Sequence, residues 1–505
     1  MKFYTNISTH KGRLLVTGYE NGVRFKRKVK YKPYLFTPTT SDTPYKTVNG
    51  LPVGRVDFDS MSEAKEFIKE YKDVDGFDIF GLEKFQYVYI YDEFRKNGKF
   101  EYDASLINEG YIDIETSMLG DRGFPDVRLA NIEVTLITLA KNDEYHVYGC
   151  QPFSIEMVRN HPDKDLNLED VNFTYHECFS EKDLLRKFLD KWIEFELDTI
   201  SGWNVDKFDI PYLVNRITKI LGEDYARQLS PWEILEENNI KVMGKEHQTF
   251  NIVGITTLDY IDLYKKFAFT QQESYKLNHI AQEELGEKKL TYDGTLADLE
   301  AKDWVRYCAY NTHDVRLVAR LEEKRKLIKL VFALAYDCGI NYQDTFATVN
   351  PWDITIHNYL LDRNIVVPAM KHQRGGEITG GFVKEPQKGM HGWVVSFDLT
   401  SLYPHLIMQY NISPETFVGR YQGDFTIDDI LDGYFNNDAR REEFVKNNYS
   451  IAANGTMYRN DILGFLPEIM EEIFNARKED KKSMLACEQE IELIKQEIKR
   501  RGLIV

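Results

Sequence analysis

Tyr111-Ile112-Asp113-Ile114-Glu115-Thr116 sets two carboxylates two residues apart inside a run that is otherwise apolar and β-prone. Side chains alternate along a strand, so Asp113 and Glu115 share one face, roughly 6.6 Å apart. Two buried like charges repel, and one takes up a proton unless a cation lies between them. A metal site is the natural way to keep both ionised. A lone D-x-E is more simply the polar outer face of a surface strand. Three acids downstream, Asp209, Asp314 and Asp398, overturn that preference.

Around this stretch the chain alternates strands and helices. Apolar runs at 111–115, 132–139 and 145–149 precede a helical pattern from about Glu181 to Leu197, which implies a sheet with helices packed on it. Ile200-Ser201-Gly202-Trp203-Asn204-Val205-Asp206-Lys207-Phe208-Asp209-Ile210-Pro211 reads as a strand ending at Gly202, a loop, and a helix that Pro211 can start. An acid placed like Asp209 can serve simply as a helix cap. Leu258-Asp259-Tyr260-Ile261-Asp262-Leu263 follows, and a helix expected over Trp304–Leu321 puts Tyr310 and Asp314 at i and i+4 on one face.

Residues 1 to about 105 alternate β-like runs with one helical window, Ser62 to Tyr71. The run Arg24-Phe25-Lys26-Arg27-Lys28-Val29-Lys30-Tyr31-Lys32 interleaves cations with aromatics; it suits either nucleic-acid contact or the charged outer face of a hairpin.

At 505 residues, with 43% hydrophobic and 13% aromatic content, the chain suggests about three domains and excludes a disordered protein. A net charge of −17, from 64 basic and 81 acidic residues, argues against a non-specific nucleic-acid coat but is compatible with an enzyme that grips DNA in a local groove. Five cysteines stand singly, with no C-x-x-C, and read as reduced thiols of a cytoplasmic protein. The start, MKFYTNISTHKGR, is polar, and no run of about 18 apolar residues occurs, so neither secretion nor membrane insertion is expected.

D-I-E-T at 113–116, N-x₃-F-D with its Ile-Pro at 204–211, and Y-x₃-D at 310–314 resemble, in order and separation, the three exonuclease motifs of the family B DNA polymerases. GWNVDKFDIPYLVNR, LDYIDLYKKF and SFDLTSLYP are similar to the T-even-type bacteriophage group of that family, and the likeness covers essentially the whole chain. The resemblance implies a ribonuclease H-like 3′–5′ exonuclease in which Asp113, Glu115, Asp209 and Asp314 hold two Mg²⁺ or Mn²⁺ ions. Four carboxylates supply enough hard oxygen for that pair of metals. Tyr310 would orient the attacking water or the scissile phosphate. Asn204 and Lys289 look like further DNA contacts, and a structural role suits either of them as well. Ile240 to Val253, turning at Met243-Gly244-Lys245, resembles the hairpin with which the family separates primer from template.

The same resemblance implies α/β and α+β domains in order: an N-terminal domain over 1–105, the exonuclease over 106–327, a return segment over 328–369 that includes a helical run from Trp352 to Leu361, a partial palm over 370–463, and the first half of the fingers over 464–505. Arg374 to Phe382 matches the family's Y-x-G-G loop, with Gly380 and Gly381 approaching template phosphates and Ile378 replacing the tyrosine. Val394-Val395-Ser396-Phe397-Asp398-Leu399-Thr400-Ser401-Leu402-Tyr403-Pro404 reads as an apolar strand ending in an acid and a sharp turn, and resembles polymerase motif A. By that match Asp398 binds both catalytic metals, the backbone of Leu399, Thr400, Ser401, Leu402 and Tyr403 wraps the triphosphate, and the Tyr403 ring blocks a ribose 2′-OH. Phe474 opens a long helix on which Arg477 and Lys481, at i and i+4, can both face one triphosphate; a solvated charged helix is the plainer account.

Nothing in the sequence resembles the second fingers helix, the D-T-D palm strand or the thumb, and one palm carboxylate cannot hold two metals. The expectation is a divided polymerase acting on DNA primer-template and dNTP, completed by a second polypeptide that also links it to a sliding clamp and replication accessory proteins, in the cytoplasm of an infected bacterial host. The alternatives are a free-standing 3′–5′ exonuclease with a vestigial palm and a non-catalytic nucleic-acid-binding regulator.

Overall fold

The computed structural model describes residues 1–74, 76–119, 123, 125–166, 168, 171–242, 244–367, 385–423, 425, 426, 428, 429, 432–436, 438–452 and 454–502. Gly380 and Gly381, with the whole Arg374–Phe382 loop, and Met243 lie outside the described residues. The protein is mixed α/β and separates into two compact units, Met1–Pro38 with Gly54–Arg363, and Thr39–Val53 with Asn364–Val505.

In the first unit, β1 (Lys2–His10), β2 (Arg13–Glu20) and β3 (Val23–Val29) form an antiparallel meander. α1 (Met61–Tyr71) starts where Ser60 accepts the amide of Glu63, and it buries Met61, Ala64 and Ile68 on one face. Most cations of the basic and aromatic run have protein partners. Arg24 pairs with buried Asp198, Lys26 lies 4.8 Å from the Trp232 ring centroid, Arg27 meets Glu20, and Lys32 meets Asp59. These contacts give the run a structural explanation.

The functional end of the unit is built on a six-stranded sheet. Its strands are β4 (Glu109–Thr116), β5 (Val134–Lys141), β6 (Glu144–Gly149), β7 (Asn172–Glu177), β8 (Thr199–Gly202) and β11 (Thr256–Asp259), in the spatial order β7-β6-β5-β4-β8-β11. β4, β5 and β6 pair antiparallel, while β8 runs parallel to both β4 and β11. The intervening β9 (Leu235–Val242) and β10 (Lys245–Ile252) are the expected hairpin, beginning five residues earlier than the sequence reading placed it.

Two helices cover one face of the sheet. Leu184, Leu185, Phe188, Leu189 and Trp192 of α2 (Glu181–Phe195) and Ile210, Leu213, Val214 and Ile217 of α3 (Asp209–Leu221) pack on Ile112, Ile114 and Ile137. The opposite face receives Trp304, Tyr307 and Cys308 of α4 (Trp304–Arg325) against Leu136 and Val147. Adjacent residues of β5, Leu136 and Ile137, thus serve opposite cores, as a strand buried on both sides requires. α5 (Val349–Leu361) begins three residues ahead of its expected start.

Where β8 ends, Gly202 lies against β4. A methyl group there would meet the Ile112 carbonyl oxygen at 2.5 Å and Val205 Cβ at 3.1 Å. Backbone cannot yield as a side-chain tip can, so Gly202→Ala is expected to destabilise the protein by about 1–3 kcal/mol, read as a lowered urea midpoint. An unchanged midpoint would mean that the two strands have slack at that point.

In the second unit, Ile365–Val366 pairs in parallel with Lys46–Thr47. Strands β12 (Phe417–Arg420), β13 (Tyr449–Ile451) and β14 (Thr456–Arg459) form a sheet in the order β12-β14-β13. Asn411 follows α6 (Leu402–Tyr410); it donates to the carbonyls of Arg459 and Ile462 and accepts the amide of Gly464. That amide leads into α7 (Phe465–Arg500). The helix starts nine residues before Phe474, because Pro467 lies in its first turn, where a missing N–H costs nothing.

The expected strand at Val394–Asp398 is not formed. Residues 393–399 carry no regular structure, and Val394, Val395, Phe397 and Leu399 are all exposed. Alternation and apolarity make a segment fit for a sheet, but the ladder that stabilises it is non-local, and among the described residues none pairs with it.

Candidate active site

Strand β4 presents Tyr111, Asp113 and Glu115 on its partly open face and buries Ile112 and Ile114 on the other. The period-2 reading therefore holds, and the two carboxylates face α4. Asp314 comes from that helix and Asp209 from the first turn of α3; both are almost wholly buried. Asp209 does not cap its own helix through its side chain. Its Oδ1 accepts the amide of Ile114, the residue between Asp113 and Glu115, at 3.1 Å.

All four acids hold their protons more tightly than free carboxylates do. Burial is the first cause in each case. Asp113 is raised well above the usual range, with Asp209, Asp314 and Glu115 adding repulsion. Glu115 is pushed up to about 8, with Asp314 the chief charge against it, and Asp209 to about 7, where the Ile114 amide opposes the rise. Asp113 and Glu115 keep part of their surface open, yet protein atoms surround their carboxylates closely enough for desolvation to dominate.

One cation already sits among them. Lys289 forms an ion pair with Asp314 Oδ2 and donates to the Tyr310 hydroxyl at 3.2 Å, its ammonium lying 5.1 Å from the Tyr310 ring centroid. Asp113 Oδ2 accepts from Asn311 Nδ2 at 2.6 Å, and Asn311 Oδ1 accepts from the Thr138 hydroxyl at 2.5 Å. Asn311 was not singled out from sequence. The available signal was an amide one residue past Tyr310 and three before Asp314, in a helical segment destined for burial.

Asn204, expected as a DNA contact, adopts left-handed backbone (φ 68°), and its amide donates to Asp259 Oδ1 at 3.0 Å. Asp259 also accepts the amides of Asp206 and Ile261, and burial lifts its pKa to about 7. The structure therefore places Asp259 as the organiser of the loop between β8 and α3, a role its sequence context did not reveal. Glu300 acts similarly, accepting the amide of Met118 just beyond β4.

Among the described residues, no group of three or more His, Cys, Asp or Glu stands close enough to hold a metal ion as placed. The donor chemistry nonetheless fits a hard divalent cation. The set is all oxygen, its members repel one another, and Asp314 Oδ1 is buried with no hydrogen-bond partner.

A pH dependence follows from these shifts. An acid whose folded pKa is raised contributes stability that is complete below its unfolded value, near 4.5 for Glu115, and lost as pH climbs through about 8. Asp209 behaves likewise up to about 7. The urea midpoint of the metal-free chain should thus lose this contribution between about pH 5 and 8, and Mg²⁺ should raise the midpoint more at pH 8 than at pH 5.5. A midpoint indifferent to Mg²⁺ at pH 8 would count against a cation site here.

In the second unit, Ser401 is left-handed (φ 54°) and precedes α6, and Arg477 of α7 donates from Nη1 to the Ser401 hydroxyl at 3.0 Å. His405 packs edge-on against Phe474, with ring centroids 4.7 Å apart. Arg477 is thereby brought to the Leu399–Tyr403 turn. Lys481 is exposed one helical turn further on, Tyr403 is 78% exposed, and Asp398 is exposed on the irregular segment before the turn.

The family profile described as DNA polymerase family B, exonuclease domain, matches residues 108–280, and that described as DNA polymerase family B matches residues 354–500. The chain belongs to the family B DNA polymerases and carries their exonuclease domain. Among its relatives is the DNA-directed DNA polymerase of Escherichia phage RB69, 36% identical over 501 residues that make up 96% of this chain and 54% of that protein. The DNA-directed DNA polymerase of Enterobacteria phage T4 is 32% identical over 510 residues, 98% of this chain and 55% of that protein. A DNA polymerase delta catalytic subunit of Oryza sativa subsp. japonica is 27% identical over 331 residues, 60% of this chain and 27% of that protein. The chain spans about half the length of the two phage relatives.

Among the described residues no helix is long and apolar enough to cross a membrane, and the five cysteines are free thiols.

Proposed function

We propose that this chain is a proofreading 3′–5′ exonuclease acting on DNA, joined to part of a nucleotidyl-transfer centre. The observation that carries the first half is the convergence of Asp113, Glu115, Asp209 and Asp314 from one strand and two helices around Lys289 and Tyr310. Strand order and direction in the six-stranded sheet support the ribonuclease H-like reading of residues 106–327. Mg²⁺ or Mn²⁺ bound by the four carboxylates would supply the charge that activates water and steadies a leaving 3′ oxygen. The chain's own groups do the rest. Lys289 brings a positive charge to the scissile phosphate, the Tyr310 hydroxyl orients the phosphate or the attacking water, and Asn311 fixes the Asp113 carboxylate.

The test is digestion of a 5′-labelled single-stranded oligonucleotide with Mg²⁺ or Mn²⁺. A ladder shortening from the 3′ end, absent with EDTA, is expected; no shortening with either metal overturns the reading.

The second half rests on Arg477 reaching the Ser401 hydroxyl, which brings a helix cation to the turn that follows Asp398. In this reading Asp398 supplies one palm carboxylate for a Mg²⁺ pair, the Leu399–Tyr403 turn with Arg477 and Lys481 receives the dNTP triphosphate, and Gly380 and Gly381 approach the DNA primer-template. Residues 1–105 form an N-terminal domain to which 328–369 return, residues 370–463 belong to the palm, and 464–505 to the fingers. In the divided-polymerase reading a second polypeptide supplies further palm, fingers and thumb and any sliding-clamp contact, in the cytoplasm of a phage-infected bacterium. In the completed enzyme Tyr403→Ala is expected to raise ribonucleotide incorporation at least tenfold, because the ring no longer meets the 2′-OH. Unchanged discrimination in primer extension would remove the steric-gate role.

A further inference from the structure

Beside Lys289 a groove of about 410 Å³ opens between the segment Glu287–Thr291 and α4. His313, Arg316 and Arg320 follow one another at spacings of three and four, so the helix contributes a single stripe to the groove wall. The loop contributes Lys288, which is exposed, and Lys289. Two acids also line it, and both are engaged by arginines. Glu287 pairs with Arg320, and Asp165 accepts two bonds from the Arg306 guanidinium. His313 donates from Nε2 to the Lys288 carbonyl at 3.0 Å, tying loop to helix at the residue next to Asp314. The groove therefore concentrates positive charge in a chain of net charge −17, and it begins at the ammonium that holds Asp314.

We propose that this groove is a phosphate subsite for the nucleic acid or nucleotide handled at the carboxylate cluster, with Lys288 and Arg316 as its charged ligands. The inference rests on the exonuclease reading above. A phosphodiester of the bound single strand and the 5′-phosphate of a released nucleoside monophosphate present the same chemistry, so two measurements distinguish them. In EDTA, which stops hydrolysis, oligothymidylate binding to the full chain is followed by fluorescence anisotropy over a range of NaCl concentrations, and thymidine 5′-monophosphate is titrated in separately. The variants are Lys288→Gln, an exposed site that leaves the fold intact, and Lys288→Gln with Arg316→Gln.

If the groove holds strand phosphates, the slope of log K against log salt falls by about 0.7 for each cation removed. If it holds the product, oligonucleotide binding is unchanged and monophosphate affinity falls several-fold. Variants that match the parent in both measurements, while the parent still shortens DNA with Mg²⁺, overturn the groove alone. A parent that neither binds nor shortens DNA overturns the groove together with the exonuclease reading.

Discussion

Asp113→Ala should abolish measurable 3′–5′ digestion while leaving the fold intact. Charge stabilisation by a metal at a phosphodiester is worth several kcal/mol, and at about 1.4 kcal/mol per decade its loss amounts to roughly a thousandfold in rate. The variant should be no less stable than the parent without metal, because removing one member of a group of mutually repelling, desolvated acids relieves the others. Asn311→Ala should act through Asp113 and cost less, about 10–100-fold, as loss of a supporting hydrogen bond to a ligand does. Comparing the two by single-turnover digestion and thermal melting separates ligand from support. An Asp113→Ala chain that digests DNA at the parental rate would remove the metal assignment.

In the completed polymerase, Asp398→Ala is expected to eliminate primer extension, again by about three decades, and to leave 3′ digestion untouched. Asp113→Ala should show the reverse pattern. The double variant should show both losses. Extension that survives Asp398→Ala would show that the polymerase centre lies elsewhere.

What could be read from the sequence was whatever depends on neighbours in the chain. The shared face of Asp113 and Glu115 follows from alternation, and that of Tyr310 and Asp314 from helical spacing; the structure keeps both. The same local rules missed Asn311, Asp259 and Glu300. Their roles are set by which strand or loop end lies opposite, and sheet register decides that. Local apolarity also led to a strand over Val394–Asp398, since composition records fitness for a ladder but not the presence of one. α7 begins at Phe465 rather than at Phe474, and Pro467 is accommodated because it lies in the first turn.

Strand β4 lies between an antiparallel and a parallel neighbour, and hydrogen bonds on both edges set its alignment. Deleting a single residue of β4 ahead of Ile112, with the start of the strand held in register, would turn Asp113 and Glu115 toward α2 and α3, and Ile112 and Ile114 toward α4. The chain would lose a core and a reaction centre in the same event. Changes of length between Thr116 and Val134 carry no such risk, because each strand keeps its own phase. Insertional tolerance across this part of the chain should therefore be bimodal, permissive outside the strand and null inside it, and a transposon scan scored for 3′ digestion would trace the limits of β4.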